Sequence, residues 1–183
     1  MKKYSLFIVI LILLGISFYY GYQNAQGIKT VTKSGERIGI YDSRSVAVAY
    51  YGSSIQQKQS QSMRDEYNKA KAAGDQSKVS QLEAQGKAQQ QEAHMQGFST
   101  ASVDNLLVYI KDAIQEIKKQ ESLTVIISKW DKAELKKHAG ATTVDITEKL
   151  IDAFHPNDRQ RKSAIEIQKI KPIPLDEAKN IRD

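Results

Sequence analysis

Three histidines, His94, His138 and His155, are the only imidazoles in a chain of 183 residues, and none stands with another His or Glu at the spacing of an H-E-x-x-H metal motif. Cysteine is absent, which excludes disulfides, thiolate metal sites and cysteine nucleophiles and is compatible with an oxidising compartment. No phosphate loop, dinucleotide glycine pattern or nucleophile-elbow serine appears, and Gly35 and Gly39 are too isolated to cradle a phosphate. The residues therefore predict no enzyme, no metal and no cofactor. The chemistry they offer is contact. Met63, Tyr67, Val79, Leu82, Met95 and Phe98 are flexible, aliphatic or amphipathic side chains in a polar stretch, suited to many weak contacts with a mobile partner. The same side chains also suit a plainer role, gluing one helix to another.

Residues 53 to 96, which carry most of these groups, hold eleven glutamines and too few large aliphatics to bury a globular core. The stretch has one strong break, Ala72-Ala73-Gly74-Asp75. This pattern predicts a helical hairpin with arms over about 55–100. The first arm runs from Ile55 to Ala73 behind an N-cap at Ser53 or Ser54; the tip is Gly74, and Asp75 caps the second arm. Each arm reaches roughly 30 Å at 1.5 Å per residue. Met63, Tyr67 and Ala70, answered by Val79 and Leu82, form a thin seam between the arms. Gly86 and Gly97 each weaken the second arm by roughly 1 kcal/mol relative to alanine.

On either side lie the pieces of a body. Arg37 to Asp42 reads as a strand. Ser43 to Tyr51 is ambiguous, because Val46, Val48 and Tyr50 alternate as in a strand while the alanines between them suit a helix. Val103, Leu107, Ile110, Ile114 and Ile117 recur as a heptad seam on a helix that rejoins the body. Leu123 to Ile127 is β-branched and short, a buried strand. Asp131 to His138 is helix or loop, and Thr142 to Val144 a strand. A helix follows through Phe154, capped by Asp145 or Thr147, with Glu148 placed for a capping box with Asp145. Residues 37–154 thus make one domain. All three prolines fall at or beyond Pro156, so residues 155–183 read as an extended or disordered tail. Short strands and one seam leave apolar edges that a single chain does not cover, and Ile38, Ile40, Val125, Ile127, Leu107, Ile110 and Ile114 are the expected oligomerisation residues. The fold class is α+β: a small β-containing oligomerisation body with a protruding, coiled-coil-like helical hairpin.

At the N-terminus, Lys2-Lys3 precedes the apolar run Leu6–Leu14, as in an export signal. Residues 1–22 are a signal peptide or an N-terminal membrane anchor. A helix over residues 4–22 would span roughly 28 Å, with Tyr19, Tyr20 and Tyr22 at the interface and the remainder on the outer side. Residues 23–36 are a polar linker. The formal charge of +6 falls to +4 once Lys2 and Lys3 are set aside, and no basic run accompanies a nucleic-acid motif, so nucleic acid is not an expected partner.

Three segments taken in order, Ile38-Gly39-Ile40-Tyr41-Asp42, Leu123-Thr124-Val125-Ile126-Ile127-Ser128-Lys129 and Val144-Asp145-Ile146-Thr147-Glu148-Lys149-Leu150, with a polar hairpin between the first two, resemble the OmpH/Skp family of periplasmic chaperones. The resemblance covers roughly residues 37 to 154, and D-I-T-x-x-L one short module after V-I-I is its most specific piece. It implies a homotrimer whose strands assemble into a central body, and helical arms that hold unfolded outer-membrane or envelope proteins without ATP. Met63, Tyr67, Val79, Leu82, Met95 and Phe98 would then be client-binding, in a protein exported to the periplasm and serving outer-membrane protein assembly. The alternative is a membrane-tethered structural or adaptor protein whose hairpin binds one defined partner and whose proline-bearing tail binds another.

Overall fold

The computed structural model describes residues 35–181. The export segment and all but the last two residues of the linker lie outside them. Among the described residues no helix is long and apolar enough to cross a membrane.

The chain is mostly helical around a small parallel sheet. Strand β1 (Arg37–Tyr41) lies in the middle, with β2 (Val125–Ser128) on one side and β3 (Thr142–Asp145) on the other. Ile38 sits opposite Val125 and Thr143, and Ile40 opposite Ile127 and Asp145. Side chains alternate across a strand. Gly39 therefore marks the core face: a Cβ there would stand 2.9 Å from the side-chain tips of Ile146 and Leu123. Ile38, Ile40, Val125 and Ile127 all project from the opposite face. The connection from β2 to β3 runs through α6 (Lys132–Lys137). Ile38 and Ile127 are buried and Ile40 and Val125 half-buried. The sequence thus gathered four expected oligomerisation residues onto one sheet face, but two of them are already covered.

The ambiguous segment after β1 is helix α1 (Ser43–Gly52). Asp42 decides it. Its carboxylate accepts from the Arg44 N–H at 3.0 Å, an N-cap that starts a helix where alternation alone hinted at a strand. Ala47 and Ala49 are fully buried, so neighbours approach α1 closely. The core gathers Val46, Tyr50, Val103, Leu106, Ile110, Ile114, Ile117, Leu123, Ile146, Leu150 and Phe154 around it. Ile110 and Ile114 are spent in the chain's own core with Leu107 packed against it, which corrects their assignment to an interface between copies. Their segment is not one helix either: α4 (Asp104–Leu107) and a 3-10 turn at Val108–Ile110 precede α5 (Lys111–Gln120), and the break lets Leu106 join the core as well.

Helix α7 (Thr147–Asp152) follows β3. Asp145 accepts from the Thr147 N–H at 2.8 Å, two residues on, so the expected capping box with Glu148 does not form. The box occurs later, between Asn157 and Gln160 at the start of α8 (Asp158–Glu166). That helix belongs to the segment expected to be a loose tail. The tail is folded against the body: Ala164 is fully buried in the core, and a 3-10 turn (Ile167–Lys169) continues to α9 (Leu175–Lys179), whose Ala178 is buried too. Lys171–Pro174 has no helix, yet it too is bonded, Ile173 N–H to the carbonyl of Phe98 at 3.1 Å and the Ser99 hydroxyl to the carbonyl of Ile173 at 2.7 Å. The linker's last residue is also part of the fold, since the Glu36 carbonyl accepts from Thr142 N–H at 2.8 Å.

One buried carboxylate joins these elements. Asp42 and Arg44 are 0% and 1% exposed and paired at 3.0 Å. Lys129, just beyond β2, reaches the same carboxylate at 2.8 Å, and the Trp130 indole N–H donates to it at 3.1 Å. Both cations lie over the Trp130 ring, at 5.1 and 4.9 Å. The Asp42 N–H donates to the Thr147 hydroxyl, and Arg44 donates its remaining Nη1 to the carbonyl of Ile170 at 2.6 Å. Burial, the largest single influence, pushes the Asp42 pKa up. Hydrogen bonds from Arg44, Lys129 and Trp130, with the Arg44 charge, outweigh it and hold the carboxyl below its ordinary value.

Removing one partner of a buried pair strands the other, so Asp42→Ala should lower stability by about 3–5 kcal/mol in urea denaturation. Because the folded pKa is depressed, the stabilisation Asp42 supplies is complete above the unfolded carboxyl value near 4 and is lost as pH falls through the folded one. The wild-type urea midpoint should drop in that acid range, and the profile of Asp42→Asn should be flatter there.

Candidate functional site: the groove between the arms

Ser53 accepts from the Gln56 N–H and starts the first arm, α2 (Ser54–Ala72); Gly74, at φ +72°, makes the tip, and Asp75 accepts from the Lys78 N–H to start the second, α3 (Gln76–Phe98). Both caps and the tip stand where the residues placed them. Ala70 is the single buried residue of α2, so almost the whole first arm is open to solvent.

Toward the tip the seam is filled. Ala70, Val79 and Leu82 are buried, Tyr67 donates to Glu83 across the arms at 3.2 Å, and Lys78 lies 3.9 Å from Glu66. Toward the root the same 4-and-3 spacing continues through Met63, Ser60 and Gln56 on α2 and through Gly86, Gln89, Gln90 and Ala93 on α3. Apart from Met63 these are small or polar side chains, and the arms leave a groove of about 390 Å³ between them, with Tyr67 and Leu82 at its tip end and Tyr51 at its root. A Cβ built on Gly86 would meet nothing within 4 Å.

The root is anchored by amides. Tyr50 donates to the Gln59 carbonyl oxygen at 2.8 Å, and the Gln59 amide donates to Tyr109 at 2.9 Å. The Tyr50 and Tyr109 rings stack at 5.2 Å. Tyr51 donates to buried Gln96 at 2.8 Å, whose own amide donates to the carbonyl of Ser102 and to Asn105, both at 2.9 Å. Burial, and next the Glu92 charge, push the Tyr51 pKa up to about 12. Burial first, then Tyr109, also raises that of Tyr50, so both phenols stay protonated donors at neutral pH.

Of the expected contact residues, the structure brings Met63, Tyr67 and Leu82 together in the groove. Val79 and Leu82 are buried in the seam and act there as glue. Met95, half-buried, and Phe98, exposed, sit at the root of α3 beside the folded tail, away from the groove. Sequence reasoning missed Ser60, Arg64, Gly86 and Ala93. Carrying the heptad spacing two turns rootward from Met63 and Leu82 would have found all but Arg64. Among the described residues no cluster of His, Cys, Asp or Glu could hold a metal ion.

Comparison with protein-family models, with curated proteins and with solved structures finds no match to this chain.

Gly86 forgoes helix propensity without a packing contact that requires glycine. Gly86→Ala should therefore raise stability by about 1 kcal/mol, read as a higher urea midpoint with an unchanged m-value.

Proposed function

We propose that the protein is an ATP-independent holdase of the cell envelope, exported to the periplasm, whose arms bind unfolded outer-membrane or envelope proteins, as the resemblance to the OmpH/Skp family implies. The finer fold follows the same reading: a Skp-like body, assembled as a homotrimer, with coiled-coil-like arms. One observation carries it. The hairpin is two long helices joined only by a thin seam, capped at both ends and rooted in the body by side-chain amides, so a large exposed surface is held out at little expense in core. Met63 and Tyr67 offer half-buried, adaptable apolar surface on it, with glutamines able both to donate and to accept. An adaptor that docks a second partner through a free proline-bearing tail loses its free segment, because Ile173 is bonded through both its N–H and its carbonyl.

Replacing residues 60–89 with a short turn should leave a cooperatively folding, trimeric body, and abolish suppression of aggregation of a urea-unfolded β-barrel without ATP. Retained suppression would move the binding surface to the body. A monomer mass for the intact protein, by light scattering across micromolar concentrations, would refute the trimer.

A further inference from the structure

The inter-arm seam is incomplete at one end only. An antiparallel helix pair closes by placing large apolar side chains in successive facing layers. Ala70, Val79 and Leu82 are buried with Tyr67 beside them, whereas the layers rootward set Met63 alone among the small side chains of Gly86, Ser60 and Ala93. The space beside Gly86 is not filled by any side chain of this fold, since its Cβ position has no neighbour within 4 Å. Arg64 stands on the rim of the same groove and has no carboxylate partner among the described residues. The opening is a trough along the helices rather than an enclosed cavity, and it runs beside Gln89, a side chain with both a donor and an acceptor, and beside Gln56, whose amide donates to the Ser60 hydroxyl at 3.2 Å. A main chain seeks such a wall, because every residue of it carries one donor and one acceptor.

We propose that this trough binds one extended polypeptide segment in which a large apolar side chain lies next to a carboxylate. The apolar group enters the space beside Gly86, against Met63, Tyr67 and Leu82, and the carboxylate pairs with Arg64. The inference rests on the holdase reading but localises it: each hairpin grips a short motif within its own two helices. The charge of Arg64, exposed on the rim, selects the occupant, since a segment that carries an acid gains a pairing there that one without an acid does not.

The test uses the full chain and a fluorescein-labelled nonapeptide with one phenylalanine between two aspartates in a glycine–serine background, followed by fluorescence anisotropy. Gly86→Trp fills the trough while removing a helix-interior glycine, so its urea midpoint should not fall below that of the wild type. Its affinity for the peptide should fall by about tenfold or more. Arg64→Gln should weaken this peptide several-fold and leave its asparagine counterpart unaffected. Lys69→Gln, on an exposed stretch of α2 outside the groove, should change neither. Undiminished binding by Gly86→Trp overturns the proposal, as does equal binding of a peptide with serine in place of phenylalanine. A drop in oligomer mass of Gly86→Trp in analytical ultracentrifugation also overturns it, because the trough would then be an interface between copies. Aggregation assays separate the two claims: wild-type protein that binds the peptide but holds no unfolded β-barrel defeats the holdase, whereas one that holds the client without binding the peptide defeats the trough.

Discussion

Asp42 is the constraint from which the rest of the body follows. A carboxylate taken wholly out of water is tolerated only when charge and hydrogen bonds surround it. Meeting that demand fixes five pieces of chain at once: the end of β1, the first turn of α1, the Lys129-Trp130 step after β2, the start of α7 through Thr147, and, by way of Arg44, the carbonyl of Ile170. Each satisfies a need of Asp42 or of its partner. The strand ends, the central helix and the far C-terminal segment therefore hold positions that the hydrophobic core alone, which is indifferent to small rotations, would not define.

The two helical arms obey a different rule. They contribute little to the core and are stabilised locally, by Ser53 and Asp75 caps, a left-handed glycine at the tip and the Ala70–Val79–Leu82 contact. Their roots are pinned by Ile55, packed against the core, and by Gln59 and Gln96, residues that also belong to the glutamine-rich composition of the arms. Glutamine thus has two roles here: solvated surface along most of the hairpin, and hydrogen-bonded anchor, exposed at Gln59 and buried at Gln96, where the hairpin meets tyrosines of α1.

The elements governed by local chemistry could be read from the residues. The hairpin, its break and both caps come from glycine, serine and aspartate acting on their own neighbours, and the three strands from short β-branched runs. What escaped reading depends on contacts distant in sequence. Whether Ser43 to Tyr51 is helix or strand turns on a cap by Asp42 and on a close-packed niche for Ala47 and Ala49. The tail was misjudged because prolines mark where a helix cannot run, not whether chain between them is packed; the Asn157–Gln160 box and the Ala164–Ile167 spacing were visible signs of α8. Ile110 and Ile114 show apolar periodicity without saying which surface satisfies it. The groove was half legible: the filled layers stood out as a seam, whereas layers made of glycine, serine and alanine leave no hydrophobic signal.

The enclosure of α1 has a kinetic side. Its walls come from both directions along the chain: Arg44 waits for a carbonyl 126 residues later, and Gly52 accepts a hydrogen bond from Gln160, 108 residues on. Contacts of such separation must close long loops before they return any stabilisation, which slows folding. The hairpin, by contrast, needs only its own tip and can form within microseconds. During synthesis the arms can therefore form before the body that carries them, and the enclosure of α1 is completed only once Gln160 and Ile170 are in place.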